Sequence, residues 1–267
     1  MPVVCFSSPK GGVGKTTITA NVAGEFARAG RRVIALDLDP QNSLRFHFGV
    51  PLQETAGFTR SLPERPDWRS LLSRTAAGVE LLAYGQSTMA QALALSDEVS
   101  RYPDLLAHPL QEILADPALI LVTDTEPGSS PLLRALLPLV DVLVTVLQVD
   151  AASMALIPSI ESGSAYGDLA EAGQRSGRGA AQIGFVLNMF DPRTRLGSQI
   201  IKSATHHLGA RLLGAVYRDE TIGEAVAAQR LVADYAPACK AAHDIAGLAE
   251  TIGARLAAAP AVRDARI

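Results

Sequence analysis

The stretch that most limits what this chain can fold into is 8–17, SPKGGVGKTT. It follows a short apolar run, PVVCFSS at 2–8. It precedes a segment in which Ile18, Val22 and Phe26 recur every four residues up to Gly30. That order predicts a strand, a glycine loop and a helix ended by glycine. RRVIALDLDP at 31–40 reads as the next strand and ends in carboxylates. A strand–loop–helix–strand unit implies two parallel strands joined by a right-handed crossover.

Further apolar strands are expected at 78–85, 118–124, 141–148, 181–188 and 211–217, with helical stretches between them. Continuous apolar strands alternating with helices predict an α/β fold: a doubly wound, mainly parallel sheet covered by helices on both faces. Residues 49–77 read as irregular, 162–180 as a mobile glycine-rich surface loop, and the alanine-rich 236–260 as a closing helix. Neither a repeat nor a linker divides the chain, so 1–267 reads as a single domain. Hydrophobic residues at 48% and charged residues at 19% fit a globular chain. A net charge of −3 argues against a global basic field for nucleic acid or an anionic membrane. The two cysteines, Cys5 and Cys239, form no disulfide framework and suit a reducing cytosol. The N-terminus lacks the pattern of a signal peptide, and no run of 18 apolar residues is present.

The loop nearly fits G-x-x-x-x-G-K-[ST], with Pro9 in place of the first glycine. Such a loop points backbone N–H groups at one spot, and the helix N-terminus behind it adds partial positive charge. Gly11, Gly12, Val13 and Gly14 would supply that backbone. Lys15 would reach the β- and γ-phosphates, Thr16 would place its hydroxyl on Mg²⁺, and Thr17 would touch the α-phosphate. Strand alternation puts Asp37 and Asp39 on one face. LILVTD at 119–124 is an apolar run ending in Asp124, suited to holding Mg²⁺ through water. The absence of an N-K-x-D guanine motif favours ATP over GTP.

Lys10 is the informative departure. The pattern K-G-G-x-G-K-T-T resembles the deviant Walker A loop of the MinD/ParA-like P-loop ATPases, a family that includes the nitrogenase iron protein. The resemblance implies a homodimer with ATP sandwiched at the interface, in which Lys10 reaches the partner's nucleotide. It implies that Asp39 orients the attacking water and that Asp37 and Asp124 support Mg²⁺, both through water. It also implies weak, Mg-dependent ATP hydrolysis with Lys10, Lys15 and Asp39 as the catalytic set. Asn188, ending the strand at 181–188, would hydrogen-bond adenine. Arg218, Asp219 and Glu224 match an element that closes over the base, although Tyr217 stands where relatives carry proline. Relatives read D-x-P-P-G after the second strand carboxylate; here Glu126 replaces the first proline, and an exposed side chain is expected.

Three stretches, 41–50, 67–87 and 217–249, resemble the BcsQ (YhjQ) branch, associated with bacterial cellulose secretion. Trp68 lies in the second of them and reads as a core or partner-facing aromatic. This resemblance implies a cytoplasmic protein brought to the inner membrane face by the cellulose synthase complex or by adaptors like BcsR and BcsE. The tail at 256–267 has few cations and no aromatics, which argues against direct membrane insertion. A DNA-partitioning ATPase of the ParA type is the nearest rival. It would need Arg193, Arg195, Lys202 and Arg211 to share a face, which the net negative charge disfavours. A non-hydrolysing, ATP-dependent scaffold is the other alternative.

Overall fold

The computed structural model describes residues 2–51, 53–60, 62, 67–167 and 181–258. Eight strands form one sheet: β1 (Val3–Ser7), β2 (Arg32–Leu38), β3 (Ser73–Arg74), β4 (Val79–Leu82), β5 (Leu119–Thr125), β6 (Val142–Gln148), β7 (Gln182–Phe190) and β8 (Leu212–Tyr217). Their order is β3-β4-β2-β5-β1-β6-β7-β8. Every pairing is parallel except β3 with β4. Every strand expected from the sequence is present. The unforeseen β3 is a two-residue, exposed edge strand inside the stretch read as irregular.

All of β1 and β5 is buried, as a parallel sheet covered on both sides requires. One face carries Val33, Ala35, Ile120 and Val122, packed with Ile18, Val22 and Phe26 of α1 (Lys15–Arg28). The other face carries Ile34, Leu36, Leu121 and Leu143. It is covered by α2 (Met89–Arg101), α3 (Asp104–Leu114) and α4 (Pro131–Leu136). Past these come α5 (Ala151–Met154), α6 (Ile157–Glu161), α7 (Arg195–Leu208), α8 (Thr221–Ala227), α9 (Val232–Tyr235) and α10 (Lys240–Ala258). The last of these packs on α1 and β8. Helix starts follow local chemistry. Thr88 forms a capping box with Gln91 at α2, and Ser130 caps α4 with Pro131 at its first turn.

Trp68 is core rather than partner-facing: it is buried, and its ring lies 5.0 Å from that of Phe58, which meets Tyr84 edge-on. Most of the glycine-rich stretch at 162–180, and residues 259–267 of the tail, lie outside the described residues.

The central strand β1 sits between β5 and β6, so the chain connects away from it on both sides. The carboxyl edge at such a switch point is where open α/β sheets bind ligands. The loop at 8–14, Asp39, Asp124, Asp150, Asn188 and Arg218 all lie at or just beyond strand ends on that edge.

Candidate nucleotide site at the carboxyl edge of the sheet

The glycine loop joins β1 to α1 with Gly12 and Gly14 at φ 76° and 81°. Gly14 is the position where glycine is obligatory. A Cβ there would lie 2.3 Å from Asn188 Nδ2, and the left-handed backbone disfavours any side chain. Pro9 precedes this tight part, so the missing first glycine leaves the cradle intact. Val13 turns its side chain into the core, and its carbonyl accepts from Asn188 Nδ2 at 2.8 Å. Asn188 Oδ1 is buried without a hydrogen-bond partner among the described residues. A buried acceptor in that state is destabilising by about 1–3 kcal/mol until a donor reaches it. This orphaned atom beside the cradle fits a ligand that brings an N–H group, such as adenine.

Below the loop, Lys15 Nζ lies 2.7 Å from Asp124 Oδ1, with both side chains almost fully buried. Thr16 Oγ1 donates to Asp124 Oδ2 at 2.6 Å, and Thr19 Oγ1 to Oδ1 at 3.1 Å. Asp37 is fully buried beside Asp124, at the same register of β2 and β5. Its two oxygens accept from the Asp39 and Leu44 N–H groups, each at 3.0 Å, so it also fastens the segment after β2. Asp39 accepts from the Gln41 N–H at 2.9 Å and is nearly buried. Burial, reinforced by Asp124, pushes the Asp37 carboxyl up to about 8. Burial likewise raises Asp39. Glu126 corrects an expectation: it is half-buried, and held above its ordinary value by burial first and then by Asp39. Four carboxylates thus gather near one buried ammonium. Among the described residues no three His, Cys, Asp or Glu side chains converge on a metal position. That donor set fits Mg²⁺, which takes its ligands largely from phosphate, water and a threonine hydroxyl.

Lys10 does not enter the cradle. Its ammonium pairs with Asp150 Oδ2 at 2.9 Å, with 38% and 30% of the two side chains exposed. Asp150 also caps α5, accepting from the Ser153 N–H at 2.7 Å. At the far side, Arg218 is exposed, and its N–H donates to Phe190 O at 2.9 Å beside the end of β7. The Asp219 carboxylate accepts from the Thr221 and Ala241 N–H groups, which ties β8 to the start of α10. Glu224 is exposed and accepts from the Tyr235 hydroxyl at 3.4 Å. Arg218 therefore has the freest side chain of the three, while Asp219 is occupied locally. Thr17 is half-buried on the first turn of α1.

Sequence reasoning missed Asp150, Thr19 and the placement of Glu126. An Asp before a short helix signals a cap, and nothing local ties it to Lys10, 140 residues away.

A strand–loop–helix cradle with a buried lysine, a hydroxyl on the strand carboxylate and a parallel sheet defines a P-loop ATPase of the MinD/ParA-like class. Comparisons with known proteins agree. The family profile described as "Cellulose biosynthesis protein BcsQ" matches residues 1–167 and 172–252. The chain belongs to the BcsQ family. It is 28% identical to cellulose biosynthesis protein BcsQ of Escherichia coli K12, over 93% of each chain. It is also 28% identical to the chromosome-partitioning ATPase Soj of Thermus thermophilus, over 95% of this chain and 96% of that one. Among solved structures, the septum site-determining protein MinD of Pyrococcus horikoshii, complexed with Mg-ADP, superposes with a TM-score of 0.73. The identity is 19%, over 94% of this chain and 95% of that one, a likeness of fold.

Proposed function

We propose that this ATPase is a nucleotide-driven dimerisation switch serving a bacterial cellulose secretion complex, with weak, Mg-dependent turnover. The observation that carries the switch is the separation of the two loop lysines. Lys15 is buried on Asp124, whereas Lys10 points out to a half-exposed pair with Asp150. A lysine at the mouth of the cradle can leave its surface carboxylate and reach a nucleotide in a facing subunit.

Binding of ATP moves Lys15 from Asp124 to the β- and γ-phosphates, while the loop N–H groups and the α1 N-terminus hold the phosphate chain. Thr16 and Asp124, with Asp37 behind them, would hold Mg²⁺, which would supply charge neutralisation for the phosphates. Asn188 and Arg218 face the base end. Asp39 orients water, and Lys10 of the facing subunit stabilises charge that develops during transfer. The closed dimer then depends on the γ-phosphate, and hydrolysis releases it.

The link to cellulose secretion rests on the family. On this reading the protein is cytoplasmic and is recruited to the inner membrane face through the synthase or BcsR- and BcsE-like adaptors. Among the described residues no helix is long and apolar enough to cross a membrane. The DNA-partitioning alternative is weakened at its basic residues. Arg193 is paired with Asp191 at 2.7 Å and Arg211 with Glu161 at 2.7 Å. That leaves Arg195 and Lys202 on α7.

The test is the solution mass of Asp39→Ala protein alone, with Mg·ADP and with Mg·ATP. A dimer with ATP alone supports the switch. A monomer in all three conditions refutes it, and a constant dimer points to the scaffold reading. Lys10→Ala should retain ATP binding and lose turnover, and normal turnover would remove its role in trans.

A further inference from the structure

We propose that Glu126 is a second water-orienting carboxylate, facing Asp39 at the terminal-phosphate end of the cradle. The inference deepens the ATPase reading above and rests on it. Its geometry comes from the sheet. β2 and β5 run in parallel register, with Asp37 beside Asp124 and Leu38 beside Thr125. Asp39 and Glu126 are the next residues out of each strand, and neighbouring strands lie about 4.8 Å apart.

The backbone around Glu126 is held on both sides. Thr125 Oγ1 donates to Phe6 O at 2.9 Å. Pro127 lies over the loop, where a Cβ on Gly11 would sit 3.7 Å from its Cγ. The Gly128 N–H donates to Ser8 O at 2.8 Å. The segment 125–128 is therefore fastened to the first half of the phosphate loop, the half farthest from the α-phosphate contact at Thr17. The carboxylate is half-buried, and Asp39 and Lys15 both lie close enough to act on its charge. Where the family pattern has a proline, which offers no acceptor on its side chain, this chain places an acceptor.

The chemistry explains why two carboxylates outperform one. A water held by Asp39 alone has one O–H fixed and can turn about that bond. A second acceptor fixes the other O–H and leaves the lone pair directed at the γ-phosphorus. Attack forms one P–O bond as the bond to the bridging β,γ-oxygen breaks. ADP leaves, and the proton given up by water ends on the released phosphate. Because a carboxylate near the γ-phosphate also repels it, Glu126 contributes to turnover and not to ATP affinity.

The experiment uses the full chain as wild type, Glu126→Gln, Asp39→Asn and the double variant. Glutamine keeps the length but replaces the charged acceptor with a neutral amide oxygen, whose hydrogen bond to water is about half as strong. Steady-state Mg·ATP hydrolysis gives kcat, and calorimetric titration with a non-hydrolysable ATP analogue gives Kd. The expected result is a kcat lowered at least about tenfold by Glu126→Gln. Kd should be unchanged or tighter. The same substitution should have less than about a twofold effect on the residual rate of Asp39→Asn, because both groups act on one water. An unchanged kcat overturns the inference, as does a loss of equal size in both backgrounds or a loss accompanied by weaker analogue binding. A wild type that binds ATP without turning it over removes the ATPase reading and this inference together; turnover indifferent to Glu126→Gln removes the inference alone.

Discussion

Asp150→Asn should strengthen the ATP-bound dimer. In the isolated chain Lys10 is held by Asp150 at 2.9 Å, and that pair must open before Lys10 can serve a facing subunit. Asparagine is as good a helix cap as aspartate, so the bond to the Ser153 N–H that starts α5 survives while the charge goes. With about a third of each side chain exposed, the pair belongs with surface ion pairs, worth about 0.2–1 kcal/mol. Closure of a symmetric dimer opens two of them, about 0.4–2 kcal/mol in all, which corresponds to about a 2- to 30-fold lower dissociation constant. The assay is sedimentation velocity across a concentration series with Mg and a non-hydrolysable ATP analogue, at low and high salt. The advantage of the variant should shrink with salt, because the wild-type pair is itself screened. A dimer midpoint that stays the same, or moves to higher concentration, would refute the idea that Asp150 restrains Lys10.

Gly14→Ala combines a left-handed backbone, costing about 1–2 kcal/mol, with a Cβ 2.3 Å from Asn188 Nδ2. It should lower the thermal midpoint and abolish ATP binding, and an unchanged midpoint would contradict the tight approach. Metal-free protein should also lose stability as pH rises past neutrality. Burial and Asp124 raise the Asp37 carboxyl from 3.8 to about 8, which gives stability that is full below 3.8 and lost as pH climbs through 8. Burial lowers His47 from 6.5 to about 4, which gives stability present above 6.5 and lost as pH falls through 4. The two trends oppose one another between about pH 4 and 6.5, and above 6.5 the loss from Asp37 stands alone. Thermal melts should show it, Asp37→Asn should flatten it, and a midpoint that rises from pH 6.5 to 8 would be inconsistent with it.

The cradle was legible because its signals are contiguous. An apolar run, a glycine loop and a period-four helix occupy residues 2–30 without interruption, and the strand carboxylates fall at the ends of unbroken apolar runs. What escaped was decided by packing between distant segments. The exposure expected of Glu126 failed because Pro127 lies against Gly11 and Gly128 bonds Ser8, which turns the loop inward. Nor did any local signal show that the start of α10 returns 22 residues after Asp219 and donates to one of its carboxylate oxygens. The edge strand β3 has only two exposed residues, too few for any period to show.

Both loop lysines rest on carboxylates, and the contrast between them predicts how ATP binding depends on metal. The Lys10–Asp150 pair is partly solvated and opens at small cost, whereas Lys15 and Asp124 are 5% and 1% exposed. Drawing Lys15 onto phosphate leaves Asp124 beside Asp37 with no buried cation in contact, and Thr16 and Thr19 supply only hydroxyl donors. Breaking a buried pair without replacement costs about 3–5 kcal/mol. A divalent cation placed between Asp124 and the phosphates removes that penalty and adds its own attraction to the triphosphate. ATP should therefore bind about 10²- to 10⁴-fold more weakly in EDTA than in Mg²⁺. Asp124→Asn removes the stranded charge and should narrow the gap. Calorimetric titration of wild type and variant with ATP, each with and without metal, measures both effects. Equal affinity of the wild type in EDTA and in Mg²⁺ would show that Lys15 does not leave Asp124 when the nucleotide arrives.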